Sequence, residues 1–450
     1  MQSLERIANL LSCFGHARRE IALPALLQEC GIPQSSGYKL VDALVREGLL
    51  QRPRRGVLAL GPAVGSFFFA PLKALPSPAA AMAAPAVPAA PRAEGGGRSM
   101  TRMVQWNSNL LDLVSTARYR KEPPFVIGFS NASTASPWRI ALARSLMAAA
   151  QRQRDVVSHV LVRDAQDDPL RQIAHLEEML HKRLDLCILS AAASRHPELE
   201  ATVRRLGAEG IPVIGVDRVC GEPEDMVCFV TAPDVLVGRI SALWLAEFLG
   251  GRGRILMLCG REDASPCRHR LQAAQEIFSL YPEIEIEAIE YTNWEARLGE
   301  QAVARHLAQG TRFAGVWCDS GLQGVGSLRA FAEAGYRRGT VPPHTGGEIN
   351  LMYKLAFHLK VPLCGVDYPA AMGALSFQTG LDTLFGRQVP RRIEANMEIV
   401  ISRGHETASV KADLLAEEKV RWDREDDYIH ASGWIPSAQL PSARGKPFFI

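Results

Sequence analysis

The most constraining feature of this 450-residue sequence is a regular alternation of short apolar runs with amphipathic helical segments between residues 125 and 402. Continuous apolar runs are typical of parallel strands buried on both faces, and strand–helix–strand order implies helices on both sides of the sheet. The predicted strands are 125–130, 156–162, 185–191, 212–218, 254–260, 284–289, 313–320 and 362–368. The region is longer than one open sheet usually needs. The pattern therefore predicts an α/β fold with two doubly wound lobes.

The residues that directly follow these strands predict a ligand site, because ligands of open α/β sheets bind beyond the carboxyl ends of the strands. These positions combine carboxylates, arginines and two tryptophans, and they are 131–139, Asp217-Arg218, 261–268, 291–294, Asp319-Ser320 and Asp367-Tyr368. Planar charged groups bind adjacent hydroxyls in pairs, and aromatic faces cover the C–H surface of a sugar. The pattern therefore favours a small sugar or polyol as the ligand.

Several stretches of this region resemble the ribose-binding-protein-like solute-binding fold, which periplasmic sugar receptors share with LacI-type sensor domains. The stretches that carry the resemblance are 128–131, 136–139, 164–169, 211–218, 268–270, 292–294 and 315–321. The resemblance implies a two-lobed type I periplasmic-binding-protein fold. The ligand contacts that it implies are Ser136, Trp138, Asp217, Arg218, Arg268, Trp294, Asp319, Ser320 and Asp367.

The resemblance also implies roles for these residues. Asp217 and Arg218 hold vicinal hydroxyls, and Arg268 holds a ring or hydroxyl oxygen. Arg268 and Arg270 lie two residues apart on a predicted helix and face different ways, so only one of them can reach the crevice. The family's usual Asp-Gly turn after a late strand is replaced here by residues 344–350.

Two tryptophans and two serines complete the implied site. Trp138 and Trp294 sandwich the ligand. Four positions depart from the family's pattern, and they are Ser136 and Ser320 where it frequently has asparagine, Arg139 where it can have a second aromatic, and Asp367 where it can have glutamine. These departures leave the identity of the sugar or polyol open.

Residues 1–70 form a separate zone with helical patterning. The predicted elements are helices over 4–14, 24–31 and 34–47, followed by a hairpin of 49–52 with 57–60. Three helices and a basic hairpin are typical of a winged helix-turn-helix, in which one helix enters the DNA major groove. The alternative is a small structural three-helix domain with a solvated basic turn.

Side chains at the start of the third helix and on the hairpin predict DNA contacts. Polar groups there can contact base edges, and arginines can contact phosphates or a minor groove. The predicted contacts are Gln34, Ser35, Ser36, Tyr38, Lys39, Arg52, Arg54 and Arg55. The segment 4–65 resembles the IclR-type DNA-binding domain in its stretches 23–27, 31–40, 44–50 and 60–62. Gly37 departs from the alanine-like residue usual in that family, and an interior glycine costs a helix about 1 kcal/mol.

The composition predicts a soluble, cytoplasmic protein. The formal net charge is only +3, so any DNA contact must come from a local basic patch. The nine cysteines are odd in number and form no Cys-x-x-Cys pair, which is typical of a reducing compartment. The start of the chain lacks the pattern of a signal peptide. The apolar stretch 63–90 contains too many prolines for a membrane helix.

The predicted domain boundaries follow from these patterns. They are a winged helix-turn-helix at 1–70, a Pro/Ala/Gly-rich linker at 71–97, a connecting helix at 98–123, a two-lobed sensor at 124–403 and a C-terminal extension and tail at 404–450. The connecting helix is either a docking or dimer element or the first helix of the large domain.

These parts together predict a ligand-responsive transcriptional regulator whose partners are operator DNA and a small sugar or polyol. A homodimer is expected because palindromic half-sites and two-fold proteins go together. No triad or metal-ligand spacing stands out, so the sequence predicts no enzyme activity, no catalytic residue, no metal site and no cofactor. One alternative is the substrate-binding protein of an ABC-type sugar uptake system, which requires export. Another is a carbohydrate-active enzyme, which would turn over its ligand.

Overall fold

The computed structural model of the chain describes residues 20–30, 32–46, 50–54, 56–60 and 112–430. These residues divide into two compact units, separated between Gly96 and Gly97. Within the described ranges, no helix is both long enough and apolar enough to cross a membrane.

The described residues of the N-terminal unit form two helices and a three-stranded antiparallel sheet. Its elements are β1 (Glu20–Ala22), α1 (Leu23–Glu29), α2 (Gln34–Arg46), β2 (Leu50–Arg54) and β3 (Val57–Leu60). The sheet order is β1-β3-β2. The buried core is formed by Leu26, Leu27, Val41, Leu50 and Leu58. The second and third predicted helices and the hairpin are confirmed, whereas the helix predicted over 4–14 lies outside the described residues.

Gly37 lies where helices α1 and α2 meet. A Cβ atom built on Gly37 would lie 2.5 Å from Cδ2 of Leu27, and Leu27 is fully enclosed in the core. The glycine therefore has a packing reason, because α2 approaches α1 too closely for an added methyl group.

We expect Gly37→Ala to destabilise the N-terminal unit by about 1–3 kcal/mol, because overpacking outweighs the gain in helix propensity. Hydrogen exchange of the α2 amides measures this loss. Gly207→Ala is the matched control, since an added Cβ at Gly207 meets nothing within 4 Å. That change should be neutral or stabilise its helix by up to about 1 kcal/mol. Unchanged protection of α2 in Gly37→Ala would contradict the packing argument.

The first lobe of the C-terminal unit is built on a six-stranded parallel sheet. Its strands are β5 (Phe125–Asn131), β6 (Val157–Asp164), β7 (Leu186–Leu189), β8 (Val213–Val216), β9 (Cys228–Thr231) and β16 (Arg392–Glu394). Its helices are α3 (Pro137–Arg152), α4 (Pro169–His181), α5 (Pro197–Ala208) and α11 (Met372–Leu384). The strand order is β16-β9-β8-β7-β5-β6.

The second lobe is built on a seven-stranded mixed sheet. Its strands are β10 (Arg252–Cys259), β11 (Glu283–Tyr291), β12 (Gly315–Cys318), β13 (His344–Thr345), β14 (Leu363–Asp367), β17 (Glu398–Ile401) and β18 (Leu414–Leu415). Its helices are α6 (Asp234–Phe248), α7 (Ser265–Phe278), α8 (Ala296–Ala308), α9 (Gly321–Glu333), α10 (Asn350–Leu359) and α12 (Ala416–Lys419). The strand order is β11-β10-β12-β13-β14-β17-β18, and only β14 and β17 pair antiparallel.

The chain passes between the lobes three times, at 232–233, 368–371 and 395–397. The two-lobed α/β prediction is confirmed, and all eight predicted strands are present with ends that shift by at most two residues. The prediction missed β9, and it also missed the short strands β13, β16, β17 and β18. Only a short 3₁₀ turn, Pro223–Asp225, separates β8 from β9, so no helical pattern marks the boundary between them.

The connecting helix predicted at 98–123 is wrong for the part that the structure describes, which begins at residue 112. Leu113–Val114 forms a strand, β4, that pairs antiparallel with β15 (Val389–Pro390). The amide of Arg391 also donates to the carbonyl of Asp112 at 2.9 Å. These sheet hydrogen bonds require an extended backbone, so tertiary pairing overrides the local apolar spacing.

Candidate ligand-binding site

A cleft with a volume of about 240 Å³ opens where loops from the two lobes face each other. Six of the nine predicted ligand residues line it, and they are Ser136, Trp138, Asp217, Arg218, Trp294 and Ser320. The other polar residues of its wall are Ser133, Arg139, Asp167, Arg261, Arg270, Asn293, Glu295, Glu348 and Tyr368. The loops belong to the carboxyl ends of the parallel strands, which is where α/β sheets bind ligands.

The start of helix α3 supplies one wall of the first lobe. Ser136 caps the helix by accepting the amide of Arg139, and Pro137 is suited to the first turn because it lacks a donor that would need a partner. The indole of Trp138 is largely buried. Its Nε1 donates to the carbonyl of Tyr368 at 3.0 Å, and its ring lies 5.6 Å from the Tyr368 ring. Trp138 therefore connects the first lobe to a crossing segment.

A buried ion pair lies at the base of the first lobe. The Arg139 guanidinium donates to Oδ2 of Asp217 at 2.6 Å and to the Ser190 hydroxyl at 2.7 Å. Asp217 has a left-handed φ of 65°, a conformation that is unfavourable for a residue other than glycine. No partner of Asp217 Oδ1 is found among the described residues, so this oxygen remains available to accept a hydrogen bond from a ligand.

Arg218 forms the second charged pair of the first lobe, with Asp167 at 2.7 Å. Burial lowers the pKa of Arg218 to about 10, and the neighbouring charge of Arg139 acts in the same direction. Burial opposes ionisation of Asp167, but the charge of Arg218 holds its pKa below the usual value. The guanidinium lies 5.4 Å from the centre of the Trp294 ring, within the range of a cation–π contact.

Trp294 is presented by a strained loop at the end of β11. Asn293 and Trp294 have φ values of 53° and 59°. Gln166 and Asp167, which follow β6 in the first lobe, have φ values of 54° and 58°. Both lobes therefore place a cleft residue by the same two-residue left-handed turn after an edge strand. Such backbone strain is concentrated at ligand sites.

The second lobe contributes Arg270 and not Arg268 to the cleft, which corrects the sequence prediction. Arg270 is buried, and its Nε donates to Oδ1 of Asp234 at 2.9 Å. Its guanidinium lies 4.1 Å from the centre of the Tyr368 ring. Arg268 is half-exposed and donates to the carbonyl of Asp263 at 3.0 Å. Burial raises the pKa of Asp234 to about 6 against the opposing charge of Arg270.

Asp319 and Asp367 lie behind the cleft wall, which corrects two further predicted contacts. Oδ1 of Asp319 accepts Nε1 of Trp294 at 3.0 Å, and Oδ2 accepts the amide of Gly260 at 3.0 Å. Asp367 forms an ion pair with Lys419 at 2.7 Å. Both carboxylates therefore support residues of the wall from the protein side.

Glu348 is a buried cleft residue that the sequence did not single out. Its Oε1 accepts the Ser320 hydroxyl. Burial raises the pKa of Glu348 to about 8, the carboxylates of Asp367 and Asp319 add to the rise, and the Ser320 hydrogen bond and the charge of Arg270 oppose it. At neutral pH the group is therefore mainly an uncharged acid that can both donate and accept a hydrogen bond.

The raised pKa of Glu348 predicts a pH-dependent stability. The folded state binds this proton more tightly than the unfolded state, whose value is near 4.5, so the free energy of unfolding falls as the pH rises from 4.5 to 8. The slope is at most about 1.4 kcal/mol per pH unit. Asp234 adds a similar slope only up to about pH 6.

In Glu348→Gln, we expect the free energy of unfolding to fall less steeply between pH 6 and 8 than in the unchanged protein. Urea unfolding at several pH values measures this slope. Glu295→Gln, at an exposed position on the cleft edge, should keep the slope of the unchanged protein. The same slope in both variants would contradict the placement of Glu348.

The cleft residues that were not predicted from the sequence share one property. All five lie within segments that the sequence already indicates for the site or for the resemblance, and they are Arg139, Asp167, Arg261, Glu348 and Tyr368. Arg139 stands at a position where the resemblance allows a second aromatic, so its charge was a usable signal. Glu348 lies within residues 344–350, which replace the family's usual Asp-Gly turn. This difference from the family pattern was the signal that could have identified Glu348.

The N-terminal unit places three of the predicted DNA contacts among residues whose side chains are described. Tyr38 is 45% exposed, and Arg52 and Arg54 lie on the exposed face of β2. Arg52 forms an ion pair with Asp42 of α2 at 2.5 Å. Residue Arg55 and the side chains of Gln34, Ser35, Ser36 and Lys39 lie outside the described parts. Helix α2 begins at Gln34.

Two family models match the chain. The periplasmic binding protein domain matches residues 127–357, and the IclR helix-turn-helix domain matches residues 3–54. The chain is 25% identical over 172 residues to the xylitol-binding protein of Mycolicibacterium smegmatis, an alignment that covers 38% of this chain and 48% of that protein. It is 21% identical to the ribose import binding protein of Bacillus subtilis, across 61% of this chain and 87% of that protein.

Solved structures share the fold of the C-terminal unit. A Bacillus halodurans solute-binding protein with bound myo-inositol aligns with a TM-score of 0.58 and 18% identity, over 62% of this chain and 96% of that one. A Mycobacterium smegmatis protein in complex with β-D-fucofuranose aligns with a TM-score of 0.57 and 22% identity, over 61% and 90%. The family model for the binding domain spans just over half of the sequence. The chain therefore belongs to the periplasmic binding protein domain family and joins this domain to an IclR helix-turn-helix domain.

Proposed function

We propose that this protein is a cytoplasmic, ligand-responsive transcriptional regulator that binds operator DNA through its N-terminal unit and a small, uncharged sugar or polyol in its cleft. The observation that carries the proposal is the presence, in one chain, of a helix-turn-helix domain and a two-lobed cleft lined by arginines, carboxylates and aromatic rings. The proposal includes no catalytic step.

The charge pattern of the cleft supports an uncharged ligand. Three of its arginines are matched by carboxylates, in the pairs Arg139–Asp217, Arg218–Asp167 and Arg270–Asp234. A fourth, Arg261, pairs with Asp263 at 2.9 Å. Because each arginine is paired with a carboxylate, the cleft has little net positive charge to attract an anion. The donors and acceptors of these pairs that remain unused are suited to adjacent hydroxyl groups. Relatives and fold neighbours named for xylitol, ribose and myo-inositol fit this class.

The DNA part of the proposal assigns base contacts to α2 and phosphate contacts to the hairpin. The base contacts are Gln34, Ser35, Ser36, Tyr38 and Lys39, and the backbone contacts are Arg52, Arg54 and Arg55. A recognition helix places its N-terminal residues at base edges in the major groove. A homodimer is part of the proposal because it would match two half-sites of a palindromic operator.

A second candidate is the substrate-binding protein of an uptake system, which is favoured by the import binding proteins among the relatives. Cell fractionation separates the two functions, because a protein outside the cytoplasm cannot regulate a promoter. Recovery of the protein with the cytoplasm, bound to DNA in a cross-linking experiment, would support the regulator.

Trp294→Ala is expected to weaken ligand binding by at least about 10-fold, because the cleft loses an aromatic face and the Arg218 guanidinium loses its neighbour. A thermal-shift screen of pentoses, hexoses and polyols identifies the ligand, since a ligand raises the melting temperature as it saturates the folded state. Leu280→Ala is the control, because Leu280 is 41% exposed and lies outside the cleft. Equal ligand responses in both variants would contradict the assigned site, and no response to any sugar or polyol would contradict the ligand class.

A further inference from the structure

The C-terminal segment 414–430 is hydrogen-bonded along the loop that carries Glu348. We call this segment the C-terminal strap, and it lies beyond the residues that the binding-domain family model matches. The amide of Asn350 donates to the carbonyl of Tyr428 at 2.9 Å, and the amide of Leu351 donates to the carbonyl of Asp426 at 2.9 Å. The strap therefore covers the first turn of α10, immediately after the cleft loop.

The strap also fixes the position of Asn350, the first residue of α10. Nδ2 of Asn350 donates to the carbonyl of Arg421 at 2.8 Å, and the amide of Arg421 donates back to Oδ1 of Asn350 at 3.0 Å. Asn350 is completely buried. Reciprocal bonds of this kind specify one relative position of two segments, because loss of either partner leaves a buried polar group unpaired.

Two further contacts of the strap act on Glu348 itself. The amide of His430 donates to the carbonyl of Glu348 at 2.8 Å. The amide of Glu348 donates to Oδ1 of Asp367 at 2.6 Å, and Asp367 is paired with Lys419 of the strap at 2.7 Å. Both backbone groups of Glu348 are therefore held by the strap, one directly and one through Asp367.

Glu348 needs such support because its backbone is strained. Its φ of 53° lies in the left-handed region, which costs a residue with a side chain about 1–2 kcal/mol. The neighbouring Gly347 packs against the backbone of β14, where an added Cβ would lie 2.9 Å from the amide of Val366. The loop is therefore packed tightly against β14, with the Glu348 carboxyl group beside Ser320 at the cleft wall.

We propose that the C-terminal strap is part of the ligand-binding site and positions Glu348 to bind one hydroxyl group of the ligand. This inference rests on the proposed function and deepens it. Glu348 is a ligand contact in this account, and Lys419 is a positioning residue that acts through Asp367. Residues that follow Glu348 by more than 65 positions thereby determine which hydroxyl stereochemistry the second lobe accepts.

The chemistry of Glu348 supports a hydroxyl as its partner. Its Oε1 already accepts the Ser320 hydroxyl, and the raised pKa makes a proton available on the carboxyl group at neutral pH. A carboxylic acid of this kind can donate to a hydroxyl oxygen and accept from a hydroxyl hydrogen. Removing it should therefore erase discrimination at one position of the ligand and leave the other positions unchanged.

Binding selectivity tests the proposal in the full chain. The probes are D-ribose, xylitol and myo-inositol, each with its epimers and deoxy analogues, measured by calorimetry. We expect the unchanged protein to bind the analogue that is altered at one particular hydroxyl at least about 10-fold more weakly than the parent compound. Glu348→Ala should reduce this ratio of the two affinities to about 3-fold or less. Lys419→Met should reduce the same ratio, while Lys419→Arg keeps the charge and restores part of it.

Lys411→Met is the matched control, because Lys411 is an exposed lysine of the preceding segment. It should keep the full selectivity ratio. A general loss of stability would weaken all analogues equally, so an unchanged ratio in Glu348→Ala or in Lys419→Met would overturn the corresponding part of the proposal.

A measurement without ligand distinguishes failure of the strap from failure of the proposed function. We expect the amides of Glu348 and Asn350 to exchange with solvent at least about 10-fold faster in Lys419→Met than in Lys411→Met. Equal exchange rates would overturn the positioning role. If the unchanged protein binds none of the probes, the sugar or polyol function and the contact assigned to Glu348 fail together, while the exchange rates still decide whether the strap holds the loop.

Discussion

Replacing Asp217 with alanine is expected to lower the free energy of unfolding of the C-terminal unit by about 3–5 kcal/mol and to remove detectable ligand binding. The Arg139 guanidinium, which is only 5% exposed, loses the carboxylate that lies 2.6 Å away. An uncompensated charge in the protein interior is far less stable than the same charge in water. The ligand loses an acceptor at the cleft surface in the same change.

A double variant separates the stability effect from the binding effect. In Arg139→Met with Asp217→Leu, both charges are absent and apolar groups fill the space, so most of the lost stability should return. Ligand binding should not return, because the acceptor is still missing. Urea unfolding followed by tryptophan fluorescence reports this unit alone, since all seven tryptophans follow residue 100. A double variant as unstable as Asp217→Ala would contradict the role of the ion pair.

Arg270→Met is expected to cost the same unit about 3–5 kcal/mol, because Asp234 is left buried without its partner at 2.9 Å. The carbonyl of Asp319 also loses a donor at 2.9 Å. We expect ligand affinity to fall by at least about 10-fold in parallel, since Arg270 lines the cleft beside Tyr368.

Arg268→Met is the matched control, because it makes the same change two residues earlier on α7. Arg268 is half-exposed and donates only to the carbonyl of Asp263, so its loss should change stability by no more than about 0.5 kcal/mol. Ligand affinity should stay within twofold. If Arg268→Met strongly weakened ligand binding and Arg270→Met had little effect, Arg268 would be the ligand contact, as the sequence predicted.

The two arginines illustrate why the strands were predictable and the exact contacts were not. Buried parallel strands produce continuous apolar runs whatever their neighbours are, so the eight strands could be located from the sequence. The side of a helix on which a given residue lies depends on the residue at which the helix begins. Helix α7 begins at Ser265, and that start turns Arg270 toward the cleft and Arg268 toward solvent.

The carboxylates at strand ends show the same ambiguity. Neighbouring side chains on a strand point to opposite faces, so a position after a strand does not determine whether a carboxylate faces the ligand or the protein. Asp319 turns inward and binds Nε1 of Trp294. Asp217 faces the cleft because its φ of 65° changes the course of the backbone, and no spacing rule predicts that value for an aspartate.

The contacts of the C-terminal strap could not be predicted from local sequence patterns, for a different reason. From the sequence, 404–450 is predicted only as a C-terminal extension and tail, and no function is assigned to it. Lys419 and Asp367 are 52 positions apart and are brought together only when β17 and β18 join the second sheet. Long-range pairing of this kind leaves no pattern within either segment.

Occupancy of the cleft is expected to change DNA binding by the same chain. Equilibrium titration of the full-length protein with operator DNA, selected from a random-sequence pool, measures this directly with and without a saturating sugar or polyol. We expect a change in operator affinity of about 5- to 150-fold, which corresponds to a coupling free energy of about 1–3 kcal/mol. A ligand that raises the melting temperature of the C-terminal unit but leaves operator affinity unchanged within twofold would contradict this expectation.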